Sequence, residues 1–96
     1  MQLHYYDVLR RPVITERSTA LAERGQYTFE VAREANKAQI KDAVERIFKV
    51  HVTAVNVIHM PSKTKRVGRR QAQTQPWKKA VVTLRHGQRI EIFEGV

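Results

Sequence analysis

The sequence predicts an α+β domain in which helices cover a small antiparallel sheet. Three observations lead to this prediction: several stretches alternate between apolar and polar residues, one stretch has the spacing of a helix face, and a long basic segment separates two alternating stretches. The 96 residues have the length of one domain, so we expect a single domain over 1–96 with an extended loop at about 61–77.

The N-terminal segment 7–25 predicts a less regular helical stretch. Thr15 is a suitable N-cap, Glu16 stands in the first turn, and Gly25 ends the stretch. Pro12 prevents the preceding residues from continuing into this helix, because proline lacks a backbone N–H and its ring clashes with the preceding turn.

The segment 36–50 predicts an amphipathic helix. Asn36 is a good N-cap, and Gln39 three residues later completes a capping box. The apolar residues recur at the i, i+3, i+4, i+7 and i+8 positions of one helix face: Ile40, Ala43, Val44, Ile47 and Phe48.

Four stretches predict strands. The first, 26–31, alternates apolar with polar residues, as a half-buried strand does. The second, 50–60, is β-branched or apolar at nearly every position, which predicts a central strand covered on both faces. The third, 77–84, alternates again and leads through a short turn to a fourth short strand at 89–93.

The segment 61–79 interrupts this pattern. It carries seven Lys/Arg, no acid and one aromatic residue, Trp77. It joins two predicted strands that we expect to be antiparallel neighbours, so it would be the tip of a long hairpin. Long connections of this kind are usually functional or disordered. Because no acid offsets the repulsion between its cations, we expect the loop to become ordered only on binding a polyanion.

The net charge of +9 indicates a polyanionic partner. The charge is confined to one half of the chain, since 46–90 contains eleven Lys/Arg and no Asp or Glu. The remaining residues hold seven Lys/Arg against nine acids. A basic surface kept only for solubility is the alternative, but solubility would not require removing every acid from so long a segment.

Catalytic and metal chemistry find no support in the sequence. The chain has no cysteine, which excludes disulfides and thiolate metal sites and suits a reducing compartment. His51 and His59 would lie roughly 26 Å apart on one strand, too far to share a metal. There is no carboxylate pair that can be placed in a pocket, no glycine-rich phosphate loop, no signal-peptide pattern and no membrane-spanning run. We therefore expect a cytosolic protein that is not an enzyme and uses no cofactor.

The basic residues are the candidate site. Lysine and arginine neutralise phosphates, and Trp77 offers a stacking surface at the base of the loop. The alternatives are a disordered insert or localisation signal for the basic run, and a core anchor for Trp77. The candidate RNA-binding residues are Lys63, Lys65, Arg66, Arg69, Arg70, Trp77, Lys78 and Lys79, with Lys37 and Lys41 on the polar side of the helix.

The order of these segments resembles one family over essentially the whole chain. RPVITERST is similar to a Pro-x-x-[ST]-Glu-[KR] opening, ANKAQIKDAVERIFKVHVTAVN to a helix–strand core, and KTKRVGRR and WKKAVVTL to a basic loop and third strand. GQRIEIFEGV is similar to a last strand and tail. Together they resemble the bacterial type of large-subunit ribosomal protein twenty-three, at the rim of the polypeptide exit tunnel.

The resemblance implies a four-stranded antiparallel sheet with flanking helices, early assembly onto 23S rRNA, and a long loop that reaches toward the tunnel in bacterial or organelle ribosomes. It implies large-subunit protein twenty-nine as a neighbour, the trigger-factor chaperone as a docked partner, and association with the signal recognition particle and the translocon. It implies no small-molecule substrate and no homo-oligomer. Glu16 matches the exposed carboxylate of the docking motif, although an acid there also stabilises a helix N-terminus.

Two other functions stay open from the residues alone. One is a free-standing RNA-binding module that acts outside the ribosome, and the other is a small phosphate-handling enzyme of similar build. The sequence also departs from the family at 61–63, at Pro76 and in the glutamine-rich part, 71–75. These departures affect the expected path of the loop tip rather than its charge.

Overall fold

The computed structural model describes residues 4–62, 64–73 and 75–91. The described residues form three helices and six strands. In chain order these are α1 (Tyr5–Val8), β1 (Leu9–Pro12), α2 (Glu16–Ala22), β2 (Gln26–Val31), α3 (Lys37–Phe48), β3 (Val52–Met60), β4 (Thr64–Val67), β5 (Arg70–Gln73) and β6 (Trp77–Leu84).

The main sheet is antiparallel and has four strands in the order β1-β2-β6-β3. Helices lie against it, so the predicted α+β architecture with a four-stranded antiparallel sheet is confirmed. Its strands are not all the predicted ones. The described residues of the predicted fourth strand, 89–91, are not in a strand, and 92–93 lie outside the described residues. Ile90 is nevertheless buried against the core, as an inward-facing residue of that segment should be.

The fourth strand of the main sheet is β1 instead, whose residues the sequence pattern assigned to a helical stretch. It pairs with β2 from Leu9 opposite Val31 to Pro12 opposite Phe29. Because β1 lies at the sheet edge, Pro12 can occupy a strand without removing a hydrogen bond from a central ladder. Thr15 then caps α2 as predicted, and its hydroxyl accepts the backbone N–H of Ser18 at 3.1 Å.

The core lies between one face of the sheet and α3. The pairing register puts Tyr27 opposite Val82 and Phe29 opposite Ala80, which sets the apolar residues of β2 and β6 on the same face. α3 packs onto this face through its predicted apolar stripe, and its capping box forms as predicted. The buried residues of the stripe are Ile40, Ala43 and Val44.

β3 is an edge strand, so the prediction of a central strand covered on both faces is wrong. It pairs only with β6, and a bulge at Thr53 shifts its register between Val52 and Ala54. The bulge lets Val52, Val55 and Val57 all pack toward the core despite their uneven spacing. Ala54 and Ile58 are exposed on the other face.

The basic loop contains a second, two-stranded sheet formed by β4 and β5. The expectation of a connection without secondary structure of its own is therefore wrong for 64–73. Thr64 pairs with Gln73 and Val67 pairs with Arg70, which leaves a two-residue turn. Gly68 has a φ of 60° at its first position, where a type II′ hairpin turn requires a positive φ.

Candidate nucleic-acid interface

The predicted RNA-binding residues of the loop lie on the β4–β5 hairpin. Lys65 and Arg66 are strand residues of β4, and Arg70 is the first residue of β5. Arg69 is exposed in the turn between them. Lys63 lies outside the described residues. The hairpin thus brings four of the predicted cations into one compact element instead of distributing them along an irregular loop.

The predicted residues on α3 are at the surface. Lys37 is the first residue of the helix and Lys41 lies one turn later, and both are exposed. Their separation from the apolar stripe follows from the helical period, as the sequence indicated. They lie on a different element from the hairpin.

Lys78 and Lys79 lie on opposite faces of β6 and have different surroundings. Lys79 pairs in register with Glu30 and Ile58 on the face away from α3. The ammonium of Lys78 instead donates hydrogen bonds to two backbone carbonyls of the β2–α3 connection, those of Arg33 at 3.4 Å and of Ala35. Lys78 therefore ties the start of β6 to that connection, a contact that the sequence pattern does not reveal.

A cleft lies where the hairpin leaves the sheet. This end of the sheet is formed by the end of β2, the start of β6 and the end of β3, since Met60 pairs with Trp77. The cleft has a volume of about 900 Å³, and half-buried Trp77 forms part of its wall. Its charged lining residues are Arg10, Arg11, Glu30, Arg33 and Glu34.

The ion pairs at this cleft leave some charges uncompensated. The Arg11 guanidinium bonds the Glu30 carboxylate at 2.6 Å, with the Glu30 side chain only 19% exposed. Among the described residues, Arg10 and Arg33 make no ion pair and are exposed. Sequence reasoning missed these arginines, because they come from β1 and the β2–α3 connection and only the folded topology brings them beside Trp77.

Glu16 lies in the first turn of α2, as predicted, and is exposed. Its position follows from the capping box at Thr15, in which the Ser18 hydroxyl accepts the Thr15 N–H at 2.7 Å. Ile14, which is 41% exposed, and Thr19 border the same shallow depression. The carboxylate is thus presented beside an exposed apolar side chain on a rigid helix terminus.

Other kinds of site find no support in the part of the chain that the structure describes. No group of three or more His, Asp or Glu side chains there could hold a metal ion. His51 and His59 stand near opposite ends of β3, as the predicted separation required. None of the described helices is long and apolar enough to cross a membrane.

A model of the family described as ribosomal protein L23 matches residues 7–92. The chain belongs to the ribosomal protein L23 family. Two relatives named large ribosomal subunit protein uL23 are each 53% identical to it. The protein from Herpetosiphon aurantiacus aligns over 96% of this chain and 98% of its own length, and that from Heliobacterium modesticaldum over 95% and 96%. The protein of the same name from Dehalococcoides mccartyi is 47% identical over 98% of this chain and its own full length.

Membership of the L23 family confirms the resemblance read from the sequence. It also confirms that the chain is a structural ribosomal protein rather than an enzyme, and that it belongs to the ribosome. The matched range, 7–92, spans both the main sheet and the β4–β5 hairpin.

Proposed function

We propose that this protein binds 23S rRNA at the polypeptide exit tunnel, assembles early, and provides a docking surface for the trigger-factor chaperone. The observation that supports RNA binding best is the acid-free segment 46–90, which folds into β3, the β4–β5 hairpin and β6. A polyanion meets positive charge along the hairpin and β6, and phosphate contacts supply most of the affinity of such interfaces.

The proposed phosphate-binding residues divide into two groups. The hairpin provides the first, namely Lys63, Lys65, Arg66, Arg69 and Arg70. Lys78 and Lys79 at its base, with Lys37 and Lys41 on α3, provide the second. A two-stranded hairpin that stands apart from the main sheet can enter a space between RNA segments, and this shape supports a path toward the tunnel.

Association with the large subunit tests this proposal against the alternative of a free-standing RNA-binding module. We expect tagged protein expressed in bacteria to sediment with the large subunit at one copy per particle and to remain there after a high-salt wash. A protein that sediments mainly in small complexes, or that leaves the subunit at moderate salt, would favour the free-standing module.

We further propose that Glu16 is the carboxylate on which trigger factor docks. Its exposure in the first turn of α2, next to exposed Ile14, supports this assignment. The same rim position would place large-subunit protein twenty-nine beside this chain and make the surface available to the signal recognition particle and the translocon. None of these proposed partners is a second copy of this chain.

The docking proposal predicts that Glu16→Ala ribosomes bind trigger factor about tenfold more weakly than wild type, because an exposed charge pair at a small interface is lost. Asp7→Ala is the matched control, since Asp7 is an exposed acid in the first turn of a different helix, α1, and does not line the depression beside Glu16. Binding of labelled trigger factor to purified ribosomes measures both. Equal affinities for the Glu16 variant and wild type would exclude a docking role for this carboxylate.

A further inference from the structure

We propose that the cleft at the base of the hairpin binds a single unpaired ribonucleotide, with its base stacked on Trp77 and its phosphate held by Arg10 and Arg33. The proposal rests on the RNA-binding function proposed above and names a recognition site within it. Neither arginine lies in the acid-free segment or among the residues that the sequence pattern indicated.

The shape of the cleft fits one nucleotide. Its volume of about 900 Å³ is within the range of small-molecule sites and leaves room for a base, a ribose and a phosphate. Trp77 contributes an indole that is only half-buried, so part of the ring is open to the cleft. Pro61 and Pro76, which follow β3 and precede β6, add rigid apolar lining to the cleft.

The charges of the cleft fit a phosphate at one side. Arg11 is neutralised by Glu30, so the pair adds no net charge and holds the Arg11 side chain in place. Arg10 and Arg33 remain as exposed cations. Guanidinium groups bind phosphate in a bidentate manner and also stack on bases, which suits a site that holds both parts of a nucleotide.

Glu34 is the one lining charge that opposes a phosphate. Its carboxylate is exposed and has no ion-pair partner among the residues that the structure describes. It would repel a phosphate placed close to it and so weaken the hold of the two arginines. Replacing this carboxylate with a neutral side chain should therefore strengthen nucleotide binding. Binding by apolar contacts alone would not change in this way.

An unpaired nucleotide fits better than a duplex or a peptide. In a duplex the bases are stacked on one another and present only edges, whereas an aromatic ring in a cleft accepts the face of one splayed-out base. An acidic peptide would match the arginines but would leave the exposed part of the indole without a flat partner.

The fluorescence of Trp77 tests the proposal directly, because it is the only tryptophan in the chain. We expect the oligonucleotide hexaadenylate to quench the emission of the full-length protein, since a stacked base quenches indole. Two base-free polyanions, hexametaphosphate and hexaglutamate, should bind without comparable quenching. Equal quenching by either of them, or none by hexaadenylate, would overturn the proposal.

Substitutions distinguish nucleotide binding in the cleft from binding to the basic surface in general. Arg33→Gln should weaken hexaadenylate binding about three- to tenfold and reduce the quenching amplitude, whereas Glu34→Gln should tighten it. Arg85→Gln is the matched control. It removes the same charge, and Arg85 is exposed just beyond the opposite end of β6. Equal effects of Arg33→Gln and Arg85→Gln on quenching would overturn the proposal. All three positions are exposed, so these changes should not impair folding.

The function proposed above can fail separately from this site. In the complex with full-length 23S rRNA, Trp77 emission should be quenched as well. Tight binding of 23S rRNA with unchanged Trp77 emission would refute the cleft while leaving the ribosomal function intact. A wild-type protein that does not bind 23S rRNA at all would refute the proposed function itself.

Discussion

Two consecutive lysines on β6 have different roles because their surroundings differ. Lys78 and Lys79 have the same charge and the same strand, but successive residues of a strand face opposite sides of the sheet. The Lys78 ammonium is bonded to backbone carbonyls in the β2–α3 connection, whereas Lys79 lies in register with Glu30 on the other face. Lys78 therefore holds the start of β6 to that connection, a structural role that Lys79 does not share.

Lys78→Met should lower the free energy of unfolding by about 1–2 kcal/mol. This loss lies at or just below the lower end of the range for hydrogen bonds to charged groups, because the ammonium is only partly buried. Urea denaturation of the free protein measures the change. Lys79→Met is the matched control and should alter stability by less than about 0.5 kcal/mol. Equal losses for the two variants would contradict a structural role specific to Lys78.

The sequence predicts the positions of the helix caps but not which residues form the cleft. Thr15 and Asn36 act on residues three positions away, so the local pattern predicts both N-caps and the capping box at Asn36, and the structure confirms them. Arg10, Arg33 and Trp77 are far apart in sequence. Nothing in their own neighbourhoods indicates a common cleft, and only the pairing of the strands brings them together.

At the scale of the elements, the sequence-based predictions of strands fail where a segment's pairing partners determine whether it is a strand and where it lies in the sheet. β1 has four residues, two of them arginines and one a proline, so its sequence alone does not indicate a strand. It becomes one by pairing with β2. The apolar run of β3 suggested a covered, central strand, but the order of the sheet puts it at an edge. A sequence period gives the spacing of a strand and not the identity of its neighbours.

The β4–β5 hairpin is a small element with its own stability. Gly68→Ala should destabilise it by about 1–2 kcal/mol, because a Cβ at a φ of 60° is strained even though no atom lies within 4 Å of it. Since two strands alone are only marginally stable, this loss should increase the amide hydrogen exchange of β4 and β5 in the free protein. Exchange followed by NMR measures the effect.

The matched variant for this position is Gly68→Asn, because asparagine tolerates a positive φ better than alanine does. We expect it to retain more protection in the hairpin. The melting temperature of the protein should stay unchanged in both variants, since the hairpin belongs to a separate sheet from the core. A clear fall in the melting temperature with Gly68→Ala would show that the hairpin and the main sheet unfold as one unit.

At the scale of the whole molecule, the acidic residues and most of the basic residues without acidic neighbours lie in different halves of the chain. The acids and the helix caps are concentrated in the N-terminal half, and most cations of the acid-free segment lie in the hairpin and at β6. This division was predictable from residue counts, because it needs no knowledge of pairing. The proposed nucleotide cleft lies where the two halves meet, with its arginines from the N-terminal half and Trp77 from the other.

The uneven charge predicts an uneven dependence on salt. Lys65→Gln/Arg66→Gln should weaken binding to 23S rRNA and reduce the slope of log affinity against log salt concentration by about 1.5, because each lost phosphate contact releases one fewer counterion. Filter binding or fluorescence anisotropy with labelled rRNA at several salt concentrations measures the slope.

Arg17→Gln/Arg24→Gln is the matched control, because it removes the same charge from exposed positions at α2, outside the acid-free segment. If the affinity arose from net charge alone, both double variants would lose the same slope, since each lowers the net charge by two. We expect the slope of the control to change by less than about 0.5, because cations that do not contact RNA release no counterions. Equal slopes for the two variants would mean that the hairpin does not contact the phosphates and that the whole basic surface acts as one diffuse charge.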